Sequence, residues 1–460
     1  MLRDIKHVNR KKPQPLSKRV MYLTTSAILF GNISFGCSIT SLAPALDNIA
    51  RRYKTSIEDI SIVFTLLTMM YCIGAIMCGV LSRYVNRQLM VVLSLSVIAS
   101  SMFLTPHCPS KNLFCVLVGV FGFASGFYGS SQVVWIIEIW QQKSGPFIQA
   151  QHFAFSVGSI IPSVVLAPFL HQKNHSPASA TESAVREQSM IQTPFLIIGT
   201  LNSLSFLYQL FLYIFYRYHK PPMYADVNFE PADKVENNQP LAEGDLSESN
   251  ELKKQEEEAD SVKVKTGISN RKIRLVAFAM LFLGAYQAME ISTMQFLPIF
   301  GQHSDLKLSE SAAAHVLSGL MITYASGRLL GIFIILKVRP DLIIVANVIL
   351  IATGNTILLI WASGSLIMFW IGSLILGAGF ANMYPSFFTF IEKHLIISGN
   401  IASCVLVFGT TTSAMYPIIL GKIIEHHAVV LSYTNFASIV VCIVAICWGY
   451  NLTRKTLTRE

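Results

Sequence analysis

Residues Val20 to Ala45 read VMYLTTSAILFGNISFGCSITSLAPA, a stretch without one charged side chain, directly behind a tail that holds Arg3, Lys6, Arg10, Lys11, Lys12, Lys18 and Arg19. About 20 apolar residues cross roughly 30 Å of hydrocarbon as a helix, so the stretch predicts a membrane span. It is too long for the apolar part of a signal peptide, and no small-residue cleavage pattern closes it. It is therefore expected to stay in the chain as a first helix. Basic flanks remain in the cytoplasm, which places the amino terminus inside.

Eleven more apolar runs follow, near residues 59–82, 88–106, 112–136, 148–170, 193–216, 273–300, 309–336, 341–361, 365–390, 397–420 and 429–450. The pattern predicts an all-α polytopic membrane protein with twelve transmembrane helices in two six-helix bundles, 20–216 and 273–450. Residues 1–19 and 451–460 form cytoplasmic tails. Between the bundles, residues 217–272 carry Pro221, Pro222, Pro231, Pro240 and the charge-rich run Glu251 to Asp260. Such a stretch buries no core and is expected to be a disordered cytoplasmic linker.

Composition points the same way: 52% of the residues are hydrophobic and 13% charged, against about a quarter charged in an ordinary soluble domain. The net charge of +9 lies at the chain ends and in short loops holding Arg83, Arg87, Lys337 and Arg339. That is the signature of membrane orientation rather than of a nucleic-acid face. An even number of spans returns Arg454, Lys455 and Arg459 to the cytoplasm. Arg51, Arg52 and Lys54 fall in the first outer loop, with Asp47, Glu58 and Asp59 close by to offset them.

Eight cysteines lack CxxC spacing and sit mostly inside apolar runs, so neither a zinc site nor a disulfide scaffold is expected. Cys108 and Cys115 flank one loop and are the one pair placed to bond. The chain holds no GxSxG, Walker A or HExxH pattern, and His426-His427 has no companion ligands. Catalytic residues, a resident metal and a cofactor are therefore not expected, and an enzyme is disfavoured. Asn174-His175-Ser176 matches a glycosylation acceptor and falls in the outer loop between the fifth and sixth spans.

A charge at the bilayer centre costs about 2.5–3.5 kcal/mol even on lenient scales, so each one retained needs a partner, water or a task. Glu290 in the seventh run and Arg328 in the eighth are the clearest. Glu290 reads either as a ligand for an ion, a proton or a solute hydroxyl, or as half of a structural pair with Arg328; for Arg328 the structural role is favoured. Gln287 lies one turn before Glu290 on the same helical face. Gln132 in the fourth run and Asn382, beside Pro385 in the tenth, are amides able to bind a hydroxylated solute. Tyr286, Tyr128 and Trp135 offer flat faces to a ring. Glu138 and Glu392, at comparable places in the two halves, read with Arg87 as gate or interface groups.

Between the second and third runs, Gly79-Val80-Leu81-Ser82-Arg83-Tyr84-Val85-Asn86-Arg87 resembles the signature loop of the major facilitator superfamily, with Arg83 standing where the family carries an acid. Longer stretches resemble its sodium-dependent glucose transporter branch: Pro44-Ala45-Leu46-Asp47, Ser56-Ile57-Glu58-Asp59-Ile60-Ser61, and Glu138-Ile139-Trp140 followed by Gly145-Pro146-Phe147-Ile148-Gln149-Ala150-Gln151-His152-Phe153. The second half adds Tyr286 with Glu290, Gly327-Arg328, and Tyr384-Pro385 followed by Ile391-Glu392.

The resemblance implies two bundles rocking about a central site, with glucose or a related hexose as the solute and a sodium ion or a proton as coupling ion. Gly129 and Val133 stand where relatives carry an acid and an asparagine, which counts against ion coupling. On the same analogy the protein is expected to be a monomer in the plasma membrane. Two rivals remain open: a different small organic solute on the same fold, and a transport-dead sensor or scaffold whose linker recruits partners.

Overall fold

The computed structural model describes residues 17–82, 84–170, 180–218, 247–335, 337–392, 394–395 and 399–457. The first bundle contains α1 (Lys18–Ile39), α2 (Leu42–Arg52), α3 (Ile57–Leu81), α4 (Arg87–Leu104), α5 (Lys111–Trp140), α6 (Gly145–Leu166) and α7 (Ala180–Phe215). The second contains α8 (Ser247–His303), α9 (Glu310–Ile334), α10 (Pro340–Ile360), α11 (Leu366–Ala381), α12 (Met383–Glu392), α13 (Gly399–Ile423) and α14 (Val430–Leu457). The pairs α1–α2 and α11–α12 each make one crossing.

Eleven of these crossings are long and apolar enough to span a membrane. Helix α13, 25 residues long and packed along α3 and α8, completes the twelve. Both described ends of the chain therefore lie on one face, the terminal face; the opposite face is the distal one.

Local chemistry sets where the spans start. Ser56, Asn86, Ser110 and Ser309 each stand just before an apolar run and accept a hydrogen bond from a first-turn N–H, at 3.1, 2.9, 3.3 and 3.2 Å. Each cap satisfies a donor that the helix itself leaves open. The tenth span breaks at Asn382, because Pro385 has no N–H to return to the carbonyl one turn earlier.

Within the first bundle α3 lies on α5 and α1 on α6. The approach is close enough that a Cβ at Gly126 would strike the Tyr71 carbonyl, and one at Gly158 the Ile33 carbonyl. Helix α8 lies between α13 and α14, and α11 covers α9 and α10. The bundles meet where α3 runs along α13 and α6 along α9.

On the distal side Arg51 binds Asp47 at 2.7 Å and reaches Glu310 of the other bundle, whereas Arg52 donates to the Cys108 carbonyl at 3.1 Å. Nearby, Phe64 and Phe296 meet edge to face across the seam with centroids 5.6 Å apart.

The segment expected to be an unstructured linker over 217–272 differs. Residues 219–246 lie outside the described residues, whereas α8 begins at Ser247 and carries the helix unbroken into the seventh span. The four prolines all precede Ser247, and the charged run behind them is built, apart from Asp260, from Glu, Lys, Gln, Leu and Ala, which are good helix formers.

Candidate functional site

Glu290 on α8 and Tyr324 on α9 lie at similar chain distances from the distal ends His303 and Glu310, and so at one depth in the bilayer. The Tyr324 hydroxyl donates to Glu290 Oε1 at 2.7 Å. One turn further along α9, Arg328 donates through Nη2 to the same hydroxyl oxygen, and its guanidinium lies 4.3 Å from the centroid of the Tyr324 ring. Through Nη1 it crosses the seam to α6, donating to Ser156 Oγ at 3.1 Å and to the His152 carbonyl at 3.4 Å.

Carboxylate, phenol and guanidinium thus form one bonded chain from the second bundle into the first. The carboxylate and the guanidinium cancel in formal charge, and the fork of donors on Arg328 is used geometrically rather than as a point charge. Around this chain stand further phenols. Tyr384 lies within electrostatic reach of Glu290, Arg328 and Tyr71, the last contributed by α3 of the first bundle. The Tyr286 hydroxyl donates to the Phe380 carbonyl at 2.8 Å and also borders the Glu290 carboxylate. The result is a seam of aromatic faces and hydroxyls about a neutralised ion pair, suited to a polar solute without net charge.

The other residues singled out in the sequence fall elsewhere. Gln132 exchanges two hydrogen bonds with Asn32 of α1, one of them 2.8 Å from its Nε2 to Asn32 Oδ1, and the pair staples α1 to α5. Asn382 donates to the Gly327 carbonyl at 2.8 Å, tying the break of the tenth span to the turn of α9 that carries Arg328. Gln287 turns toward Gly409 of α13, away from the bonded chain. Trp135 and Tyr128 are fully buried in the first bundle, packed on Tyr218 and Phe35 respectively.

Arg87 and Glu138 are partners: Arg87 Nε donates to Glu138 Oε1 at 2.7 Å, with 13% and 5% of the two side chains exposed. Tyr218 donates to the second carboxylate oxygen at 3.0 Å, and its backbone is held by Gln88 and Asn86, each at 2.7 Å. Burial, and then the adjacent Glu138 carboxylate, push the Tyr218 phenol well above its ordinary pKa, so it keeps its proton and stays a donor. Glu392 is the last residue of α12, and its side chain lies outside the described residues, as does Asn174.

Sequence reasoning missed Tyr324, Ser156, Asn32 and Tyr218. For Tyr324 a signal exists, since it precedes Arg328 by four residues on one helical face. The others meet their partners only through tertiary packing. Among the described residues, no three His, Cys, Asp or Glu side chains converge to hold a metal ion.

The family model of the Major Facilitator Superfamily matches residues 28–417. The chain is 23% identical over 420 residues to sodium-dependent glucose transporter 1 of Xenopus laevis, covering 87% of this chain and 76% of that protein. It is 22% identical over 407 residues to the Homo sapiens protein of that name, covering 85% and 71%. It is also 22% identical over 433 residues to major facilitator superfamily domain-containing protein 4A of Xenopus tropicalis, covering 85% and 84%.

Among solved structures, the xylose transporter XylE from E. coli, in a partially occluded inward open conformation, superposes with a TM-score of 0.65 at 12% identity, over 94% of this chain and 99% of that one. The transporter FucP in an outward conformation gives 0.61 at 15% identity, over 94% and 99%. The twelve-helix, two-bundle architecture, the residues matched by the family model and these neighbours together place the chain: it belongs to the Major Facilitator Superfamily.

Proposed function

We propose that the protein carries a small, neutral, hydroxyl-rich solute, glucose or a related hexose foremost, across the membrane by alternating access at the seam around Glu290, Tyr324 and Arg328. One observation carries this reading: among the described residues, Arg328 reaches the first bundle through hydrogen bonds to Ser156 Oγ at 3.1 Å and the His152 carbonyl at 3.4 Å, which solute hydroxyls can replace. A bound sugar would stack on Tyr71 or Tyr384, compete for Arg328, and so loosen α6 from α9. Rocking of the bundles then follows from the chemistry of binding. The names of the relatives favour a sugar.

Sodium or a proton as coupling ion would meet the Glu290 carboxylate, the acid at the centre of this seam. In this reading the terminal face, with Lys18, Arg19, Arg271, Lys272 and Arg274, is cytoplasmic, and a monomer resides in the plasma membrane.

Uptake of labelled glucose into proteoliposomes, under a sodium gradient, a pH gradient or neither, tests the proposal beside Glu290→Gln. Uptake that one gradient accelerates and the variant abolishes is the expected result for a coupled carrier. Gradient-independent uptake identifies a facilitator. No uptake of glucose or other hexoses above empty liposomes refutes the sugar reading. If hexoses then still raise the melting temperature, the protein is a sensor rather than a carrier.

A further inference from the structure

The distal face is closed by a contact that no part of the binding site uses. Glu425 follows α13 in the second bundle, yet its Oε1 accepts a hydrogen bond at 2.6 Å from the backbone N–H of Ile57, the first residue of α3 in the first bundle. The opening N–H groups of a helix have no partner within the helix and carry the positive end of its dipole. Ser56 satisfies the Asp59 N–H of this turn at 3.1 Å, and Glu425 supplies the acceptor for Ile57 from across the seam.

The chains approach closely beside this bond: a Cβ on Gly421 would lie 2.8 Å from Ser61 Cβ and 3.4 Å from the Glu58 carbonyl. Two turns into the seam, Thr65 donates to the Ala414 carbonyl at 2.8 Å. The second clasp of this face, Arg51 to Glu310, starts from an arginine side chain 36% exposed to water. Its acid is nearly buried, and the pair joins α2 to α9 rather than α3 to α13. The helix-capping carboxylate joins the two bundles where α3 runs along α13.

We propose that Glu425 is the latch of the distal gate: its carboxylate caps α3 of the opposite bundle when that face is shut, and must leave Ile57 before the face can open. Gly421 is the bearing that lets the two helices close on each other. The latch acts whatever the solute, so its test needs no transport.

With the exposed Cys404 and Cys447 replaced by serine, Ser61→Cys reports on opening, since Ser61 is fully buried against Gly421. Purified protein in nanodiscs is treated with a membrane-impermeant maleimide, and a spin-label pair at Tyr84 and Val338, both exposed near the terminal face, follows the opposite side. Glu425→Ala is expected to raise labelling at position 61 by about tenfold, the population shift that loss of one charge-assisted hydrogen bond allows, and Gly421→Leu is expected to raise it by forcing α13 off α3. The terminal-face labels should draw closer in the same variants. Glu425→Gln keeps an acceptor without the charge and should fall between; it carries the test if the alanine variant does not fold. Labelling that stays at the native rate in the Glu425 variants, or rises without any change on the terminal face, overturns the proposal.

Discussion

The Glu290 carboxylate reaches the Arg328 guanidinium through a single phenol: Tyr324 donates to Glu290 Oε1 at 2.7 Å and accepts from Arg328 Nη2. Opposite charges in the same bilayer interior are thus joined by a group that is donor to one and acceptor from the other. Removing that hydroxyl by Tyr324→Phe leaves the ring and the fold but strips both bonds. Hydrogen bonds to charged groups contribute about 1.5–3 kcal/mol, so solute flux is expected to fall about tenfold to a hundredfold. Initial uptake rates beside a melting curve check this; a variant with native flux would remove Tyr324 from the mechanism.

Gln132 and Asn32 have spent their amides on each other. Asn32→Ala should cost about 1–3 kcal/mol because it strands a buried amide, and Asn32→Ala with Gln132→Leu should recover part of that loss. Thermal unfolding of the two single variants and the double variant measures the coupling. A KM raised strongly by Gln132→Ala at unchanged melting temperature would instead make Gln132 a solute ligand.

At the terminal face, Arg87→Ala should destabilise the first bundle more than Tyr218→Phe. The first leaves the nearly buried Glu138 without its cation, at about 3–5 kcal/mol for a broken buried pair. The second removes one hydrogen bond, at about 1 kcal/mol. Equal losses in denaturation experiments would show that the arginine is held mainly by water.

Cys108 is a free thiol, and burial raises its pKa despite the nearby Arg52, so it holds less thiolate at neutral pH than an exposed cysteine. Alkylation at Cys108 should speed up as pH rises. Peptide mass spectrometry should recover Cys108 and Cys115 as separate thiols, and a bonded pair would contradict the fold around that loop.

The membrane spans were legible in the chain because their cause is one-dimensional. About 20 apolar residues in a row, capped by Ser or Asn and followed by basic loops, have one favourable environment wherever they lie in space. Glu290 and Arg328 stood out for the same reason, as charges that hydrocarbon penalises. The start of α8 at Ser247 was also written in the chain, in the absence of proline between Pro240 and Pro298, but the charge of that stretch masked it.

What only tertiary structure decided was pairing. Gln132 with Asn32, Arg87 with Glu138 and Tyr218, Arg328 with Ser156, and Glu425 with the Ile57 amide all join residues far apart in sequence. A hydrogen bond depends on position and direction within a few tenths of an ångström. Helix-to-helix rotation and depth set both, and no local pattern along the chain records them.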